Sequence, residues 1–141
     1  MRKALLWAST NPFLAERLPK MSFVKRATRR FMPGESLEEA LLEAERLSTK
    51  GMGTLITLLG ENLSSIDQAD DVLNEYLEVL REASKRGLDL EVSIKLTQLG
   101  LDFGSDIAQE RLRKLVGATS SIVWIDMEGS DYVDLTLDIY R

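Results

Sequence analysis

The sequence predicts an α/β fold built from three parallel βα units. Strand-length apolar runs at residues 54–60, 90–96 and 121–126 alternate with amphipathic stretches of helical period. Within the runs the apolar character is nearly continuous, which fits strands covered on both faces.

The first thirty-odd residues read as short helical pieces punctuated by Pro12, Pro19 and a Pro33-Gly34 turn. Ser36 and Glu39 then make a capping-box pattern, and Leu37, Ala40, Leu41, Ala44 and Leu47 recur at helical spacing. Gly51 follows where a helix C-cap belongs. TLITLLG at 54–60 is short, apolar and carries Ile and Thr, which favours a buried strand. A second helix spans 66–86 on the stripe Ile66, Ala69, Val72, Leu73, Tyr76, Leu80 and Ala83, closed by Gly87. A strand at 90–96, a glycine-punctuated loop, a helix at 106–116 and a strand at 121–126 complete the alternation. The last segment fits two forms. Val133, Leu135, Leu137 and Ile139 alternate as in a strand, whereas Tyr132, Leu135, Thr136 and Ile139 make one helical face. It runs to Arg141 without cap, turn or polar tail, as a cut chain does. The expected organisation is a basic helical arm at 1–35 followed by the α/β part at 36–141.

With 141 residues, 44% of them hydrophobic and 29% charged, the chain suits one ordinary globular domain. It has no cysteine and no histidine, so disulfides, thiolate metal sites, zinc-hydrolase chemistry and Ser–His–Asp catalysis are excluded. Any chemistry must run on carboxylates, lysine, arginine, tyrosine or a bound cofactor. Residues 1–30 hold eight basic side chains against the single acid Glu16, a net +7, while the remainder is net −12. Such an arm fits a nucleic-acid or membrane-surface contact, but its cations are not interleaved with stacking aromatics. A solvated arm is the favoured reading; no nucleic-acid partner is expected, and a peripheral membrane contact stays open. No stretch approaches the roughly 18 apolar residues of a membrane span, so the expected setting is cytoplasmic.

In folds of this kind functional groups collect beyond the carboxyl ends of the strands. Those positions hold Glu61 after the first strand, Lys95, Thr97 and Gln98 at the second, and Asp126 and Glu128 at the third. A lysine in an apolar strand is costly to bury without an anion. Lys95 therefore meets either a ligand anion or an internal partner, Glu61 or Asp126. Asp126 and Glu128, two apart on a strand, would face the same way and repel. Glu61 reads as a polar loop residue, Trp124 as packing, and Tyr76 as part of the buried helical stripe. Gly100 and Gly104 are not spaced as a dinucleotide fingerprint.

Four strings in order, RRFMPGESLEEAL, TLLGEN, SIKLTQLGLDF and WIDMEGSDYVD, give the chain a resemblance to the proline dehydrogenase family. The likeness runs over about residues 22–141 and follows the family's first three βα units; SIKLTQLG and IDMEGS are its specific pieces. It implies a partial (β/α)8 TIM-type barrel preceded by N-terminal helices. It also implies FAD as cofactor, oxidation of L-proline to 1-pyrroline-5-carboxylate, and a quinone-type electron acceptor. By the same likeness Lys95 lies beside the substrate carboxylate, Asp126 belongs to the catalytic site, and Met127 falls where backbone approaches the flavin. Hydride chemistry belongs to the flavin, so neither histidine nor cysteine is needed. A complete barrel takes about 250 residues, so a C-terminal barrel portion is expected as a missing partner. It would carry most flavin contacts, a substrate-closing tyrosine and paired arginines. The alternative is a catalytically inactive half-barrel module that binds no flavin.

Overall fold

The computed structural model describes residues 36–60 and 63–141. Glu61 and the basic arm with its three prolines lie outside the described residues. Helix α1 (Leu37–Ser48) precedes strand β1 (Thr54–Thr57), helix α2 (Ile66–Lys85) and strand β2 (Leu90–Ile94). Two 3-10 turns, Thr97–Leu99 and Leu101–Phe103, lead into helix α3 (Ser105–Gly117) and strand β3 (Val123–Ile125). A third 3-10 turn, Ser130–Tyr132, opens helix α4 (Val133–Tyr140). Two compact units divide between Glu43 and Ala44, inside α1, and every element after α1 belongs to the second, Ala44–Arg141.

Local chemistry sets the boundaries. At the start of α1 Ser36 and Glu39 pair: the Glu39 amide donates to Ser36 Oγ at 3.3 Å, as in a capping box, and Ser36 Oγ donates to the Glu39 carboxylate at 3.4 Å. At the start of α2, Gln68 Oε1 accepts from the Ser64 amide at 2.7 Å. That helix ends in a Schellman motif. Leu88 N–H reaches the Ala83 carbonyl at 3.0 Å and Gly87 N–H reaches Ser84 at 3.1 Å, with Gly87 at φ +64°. The same pattern recurs after β2, where Leu101 N–H reaches Leu96 O at 3.0 Å around Gly100 at φ +96°. A Cβ on Gly100 would stand 3.1 Å from Ile107 Cγ2, so the turn also brings α3 close.

The strands pair in parallel in the order β1-β2-β3. Thr54 lies opposite Leu90, and Ile94 opposite Ile125. Helix α2 packs on β2 and α3. It buries Ala69, Leu73, Tyr76, Val79, Leu80 and Ala83 in one core with Leu90, Val92 and Ile94 of β2. From α3 come Ala108, Leu112 and Leu115. Arg111, 7% exposed, joins them because Asp70 of α2 accepts from its Nε at 3.0 Å. Burial in such a core is worth about 1.5–3 kcal/mol per large aliphatic side chain.

Coverage of the sheet differs from the expectation. Only the central strand is buried along most of its length; β1 and β3 alternate between half-buried and exposed positions. Leu55 is 50% exposed and Trp124 47% exposed, so the continuous apolar runs reported hydrophobicity without reporting cover. Register explains this. Leu55 with Glu91, and Thr57 with Ser93 and Trp124, make one row-set on the open face, while Ile56, Val92 and Ile94 point to the helices. Trp124 is thus no packing residue among the described residues; its indole N–H donates to the Glu91 carboxylate at 2.5 Å. The ambiguous last segment is helical, and its strand-like alternation is inverted by burial. Thr136 is 4% exposed whereas Leu135 and Leu137 are 41% and 38% exposed. Among the described residues no helix is long and apolar enough to cross a membrane.

Candidate active site

Parallel register brings the two candidate charges together. Ile94 pairs with Ile125, and the ladder continues one step as the Asp126 N–H donates to the Ile94 carbonyl at 2.8 Å. Lys95 and Asp126 are therefore adjacent at the carboxyl edge, both on the parity of Ser93 and Trp124 and so on the open face. Lys95 Nζ stands 3.9 Å from Asp126 Oδ2. The other oxygen, Oδ1, accepts from Ser93 Oγ at 2.9 Å. With side chains 26% and 48% exposed, this ion pair stabilises the fold by less than about 1 kcal/mol. An ammonium carries three N–H donors, so it can serve Asp126 and a second anion together. Of the two anions the sequence offered as internal partners for Lys95, the described structure gives it Asp126.

A buried amide and a buried phenol hold this edge in place. Gln98, 2% exposed, donates from Nε2 to the carbonyls of Leu58 at 3.0 Å and Gly60 at 2.7 Å. Its Oε1 accepts from the Lys95 amide at 3.3 Å. The segment after β1 is thereby tied to the segment after β2. Tyr76, fully buried on α2, donates to the Ser93 carbonyl at 2.8 Å and accepts from the Leu58 N–H at 3.1 Å. Burial raises its phenol above the usual range, with the Leu58 amide pulling the other way, so it remains a donor at neutral pH.

Asp126 and Glu128 do not confront each other. Glu128 lies beyond β3 and takes the Thr97 N–H at 3.1 Å and the Thr97 hydroxyl at 2.5 Å, which caps the first 3-10 turn. The expected repulsion is relieved because each carboxylate has its own donors. Met127 is 55% exposed beside Asp126 and offers apolar surface at the edge. Among the described residues no group of three or more carboxylates, histidines or cysteines could hold a metal ion. A half-open hollow of about 300 Å3, lined by Leu58, Gly60, Leu63, Asp71, Glu75 and Gln98, adjoins the edge without reaching Lys95 or Asp126. Another of about 420 Å3 lies at the opposite ends of the strands, near Leu90 and Ser121.

Sequence reasoning named Lys95, Thr97, Gln98, Asp126 and Glu128 but missed the roles of Ser93 and the Tyr76 hydroxyl. Ser93 could have been found: it is two residues from Lys95 on a strand, hence on the same face, and is the one hydroxyl between Val92 and Ile94. Nothing in a helical stripe announces where a tyrosine hydroxyl ends.

The proline dehydrogenase family model matches residues 40–141. Over 144 residues the chain is 32% identical to proline dehydrogenase 1 of Bacillus subtilis subsp. natto, an alignment covering all of this chain and 47% of that protein. With the proline dehydrogenase of Deinococcus radiodurans it shares 28% identity over 146 residues, covering 99% of this chain and 46% of the other. Among solved structures, proline utilization A from Bdellovibrio bacteriovorus, inactivated by N-propargylglycine, matches with a TM-score of 0.66 at 25% identity. That match covers 76% of this chain and 14% of the solved one. The chain spans about half the length of the two relatives.

Proposed function

The chain belongs to the proline dehydrogenase family, its three βα units forming part of a (β/α)8 barrel, and we propose that its carboxyl edge serves the FAD-dependent oxidation of L-proline to 1-pyrroline-5-carboxylate. The observation that carries this reading is the Lys95–Asp126 pair, 3.9 Å apart on neighbouring strand ends, with side chains 26% and 48% exposed. Residues 36–141 supply the substrate-facing part, with a C-terminal barrel portion as partner.

In this reading Lys95 anchors the proline carboxylate. A fixed ammonium suits a small anionic group, and its value lies in orienting the ring rather than in reacting with it. Asp126 holds the ammonium on one oxygen and faces the substrate nitrogen. The residues present fit one side of a flavin. Trp124, two residues before Asp126, and Met127, directly after it, expose apolar surface, as a flat ring with apolar faces needs, and Met127 is the proposed cofactor contact. When bound, the flavin supplies the acceptor for hydride from the proline ring, and a quinone-type acceptor takes the electrons onward. The chain's own residues bind, orient and balance charge.

The test is proline-dependent dye reduction with FAD present, by the chain joined to the C-terminal half of the Bacillus relative. Turnover that Lys95→Met and Asp126→Asn each lower by about tenfold or more supports the reading. A folded, yellow chimera that ignores proline overturns it. A second reading, a half-barrel module that binds no flavin, is favoured by the half-exposed Leu55 and Trp124 on the open sheet face. Flavin absorbance of the purified 141-residue chain separates the two.

A further inference from the structure

We infer that Ser93 is a positioning residue, fixing the Asp126 carboxylate and through it the Lys95 ammonium; this rests on the reading of that edge as a substrate-carboxylate site. Ser93 is 5% exposed, in a strand whose neighbours Leu90, Val92 and Ile94 are all buried aliphatics. A small apolar residue would serve the strand better, so the hydroxyl needs a reason. Its partner supplies one: Ser93 Oγ donates to Asp126 Oδ1 at 2.9 Å.

The geometry divides the carboxylate. Ser93 holds Oδ1 while Lys95 faces Oδ2. The Asp126 side chain is 48% exposed just past the end of β3, and a carboxylate there turns freely about its last torsion unless one oxygen is pinned. Pinning Oδ1 aims Oδ2 along the row towards Lys95. Ser93 is itself immobilised, because its carbonyl accepts from Tyr76 Oη at 2.8 Å and Tyr76 is fully buried. Constraint therefore runs from α2 through Tyr76 and Ser93 to Asp126, and only then to Lys95. A serine retained merely to satisfy a buried strand would affect stability alone.

Two measurements on the 141-residue chain separate these roles. The first is the carboxyl-carbon NMR signal of Asp126, identified by its loss in Asp126→Asn. Ser93→Ala shifts that signal and Ser93→Thr returns it; an unmoved signal in folded Ser93→Ala overturns the inference. The second is L-proline affinity, read by titration on the Lys95 side-chain signals. Ser93→Ala weakens it about tenfold, the size of one lost hydrogen bond to a partly exposed charged group, and Ser93→Thr restores most of it. In the Asp126→Ala background, where Ser93 has lost its acceptor, the same substitution changes nothing further, since its effect passes through Asp126. Equal weakening in both backgrounds overturns the inference. The chain joined to the C-terminal half of the Bacillus relative, if it binds no L-proline while the Asp126 shift is present, keeps the positioning role and removes the substrate reading. Should Ser93→Ala not fold, Ser93→Cys keeps the volume with a weak donor and is expected to behave as the alanine variant would.

Discussion

The hydroxyl of Tyr76 donates to the carbonyl oxygen of Ser93 at 2.8 Å, joining the buried face of α2 to the central strand just before Lys95. The phenolic oxygen of Tyr76 in turn accepts from the Leu58 amide, so one phenol serves the carboxyl ends of two neighbouring strands. Helix packing and site geometry meet in that one group.

Removing the hydroxyl alone leaves a buried N–H and a buried carbonyl short of a partner while keeping the ring. Tyr76→Phe is expected to destabilise the chain by about 1–3 kcal/mol, read from the urea midpoint with an unchanged slope. Faster exchange of the Leu58 amide should accompany it.

Ionisation of the same group sets an alkaline limit. The folded chain holds the phenol above its ordinary value of 10.0, chiefly through burial. As pH climbs through that value, the unfolded chain loses a proton that the folded chain still retains. Stability is therefore intact below pH 10 and declines above it, until the folded phenol also ionises. Urea midpoints measured between pH 8 and 11, roughly spanning this window, should fall in the parent and fall less in Tyr76→Phe. Equal slopes in the two proteins would refute this account.

Much of this architecture was legible because each element announces itself by local chemistry. The 66–86 stripe, Gly87 and the 90–96 run correspond to α2, its Schellman cap and β2, since a long amphipathic period and an αL glycine have few other uses. Lys95 stood out as a charge in an apolar strand. What the sequence could not carry was cover and direction. Leu55 and Trp124 read as buried because hydrophobicity does not say whether a second layer exists. Strand ends were read two or three residues too long, as at Leu58 and Leu96, where side-chain and turn hydrogen bonds replace the ladder. Glu128 turned to Thr97, a contact 31 residues away in sequence that no spacing rule foresees.

Gln98 has all its capacity committed inside the protein, so the amide should be poorly replaceable. Gln98→Ala removes donors from the Leu58 and Gly60 carbonyls and an acceptor from the Lys95 amide, and opens a cavity. A loss of about 2–4 kcal/mol follows. Hydrogen exchange should show the Lys95 amide among those deprotected.

Arg111 tests the opposite case, a cation buried at a helix interface. Its Nη2 lies 2.8 Å from Asp70 Oδ1, its Nη1 donates to the Ile107 carbonyl at 3.2 Å, and its side chain is 9% exposed. Asp70→Ala strands that charge and should cost about 1–3 kcal/mol, the lower part of the range for buried pairs because Asp70 itself is 53% exposed. Arg111→Met with Asp70→Ala should recover much of the loss, since no buried cation remains. A double mutant as unstable as the single one would show that the guanidinium acts through packing instead.

Lys95 separates binding from folding most sharply. Its ion pair is partly exposed and 3.9 Å long, so Lys95→Met should change stability by less than about 1 kcal/mol. If the ammonium holds the substrate carboxylate, the same substitution raises KM for L-proline or lowers kcat/KM by about 10- to 100-fold in the completed enzyme, a loss of roughly 1.4–2.7 kcal/mol of binding to the transition state. Lys95→Arg preserves the charge but not its position, because a guanidinium is a planar fork on a longer stem and the Asp126 oxygen is set for a point charge. It should therefore recover only part of the activity. Full activity in Lys95→Met, with stability unchanged, would remove the carboxylate anchor and with it the main role proposed for this edge.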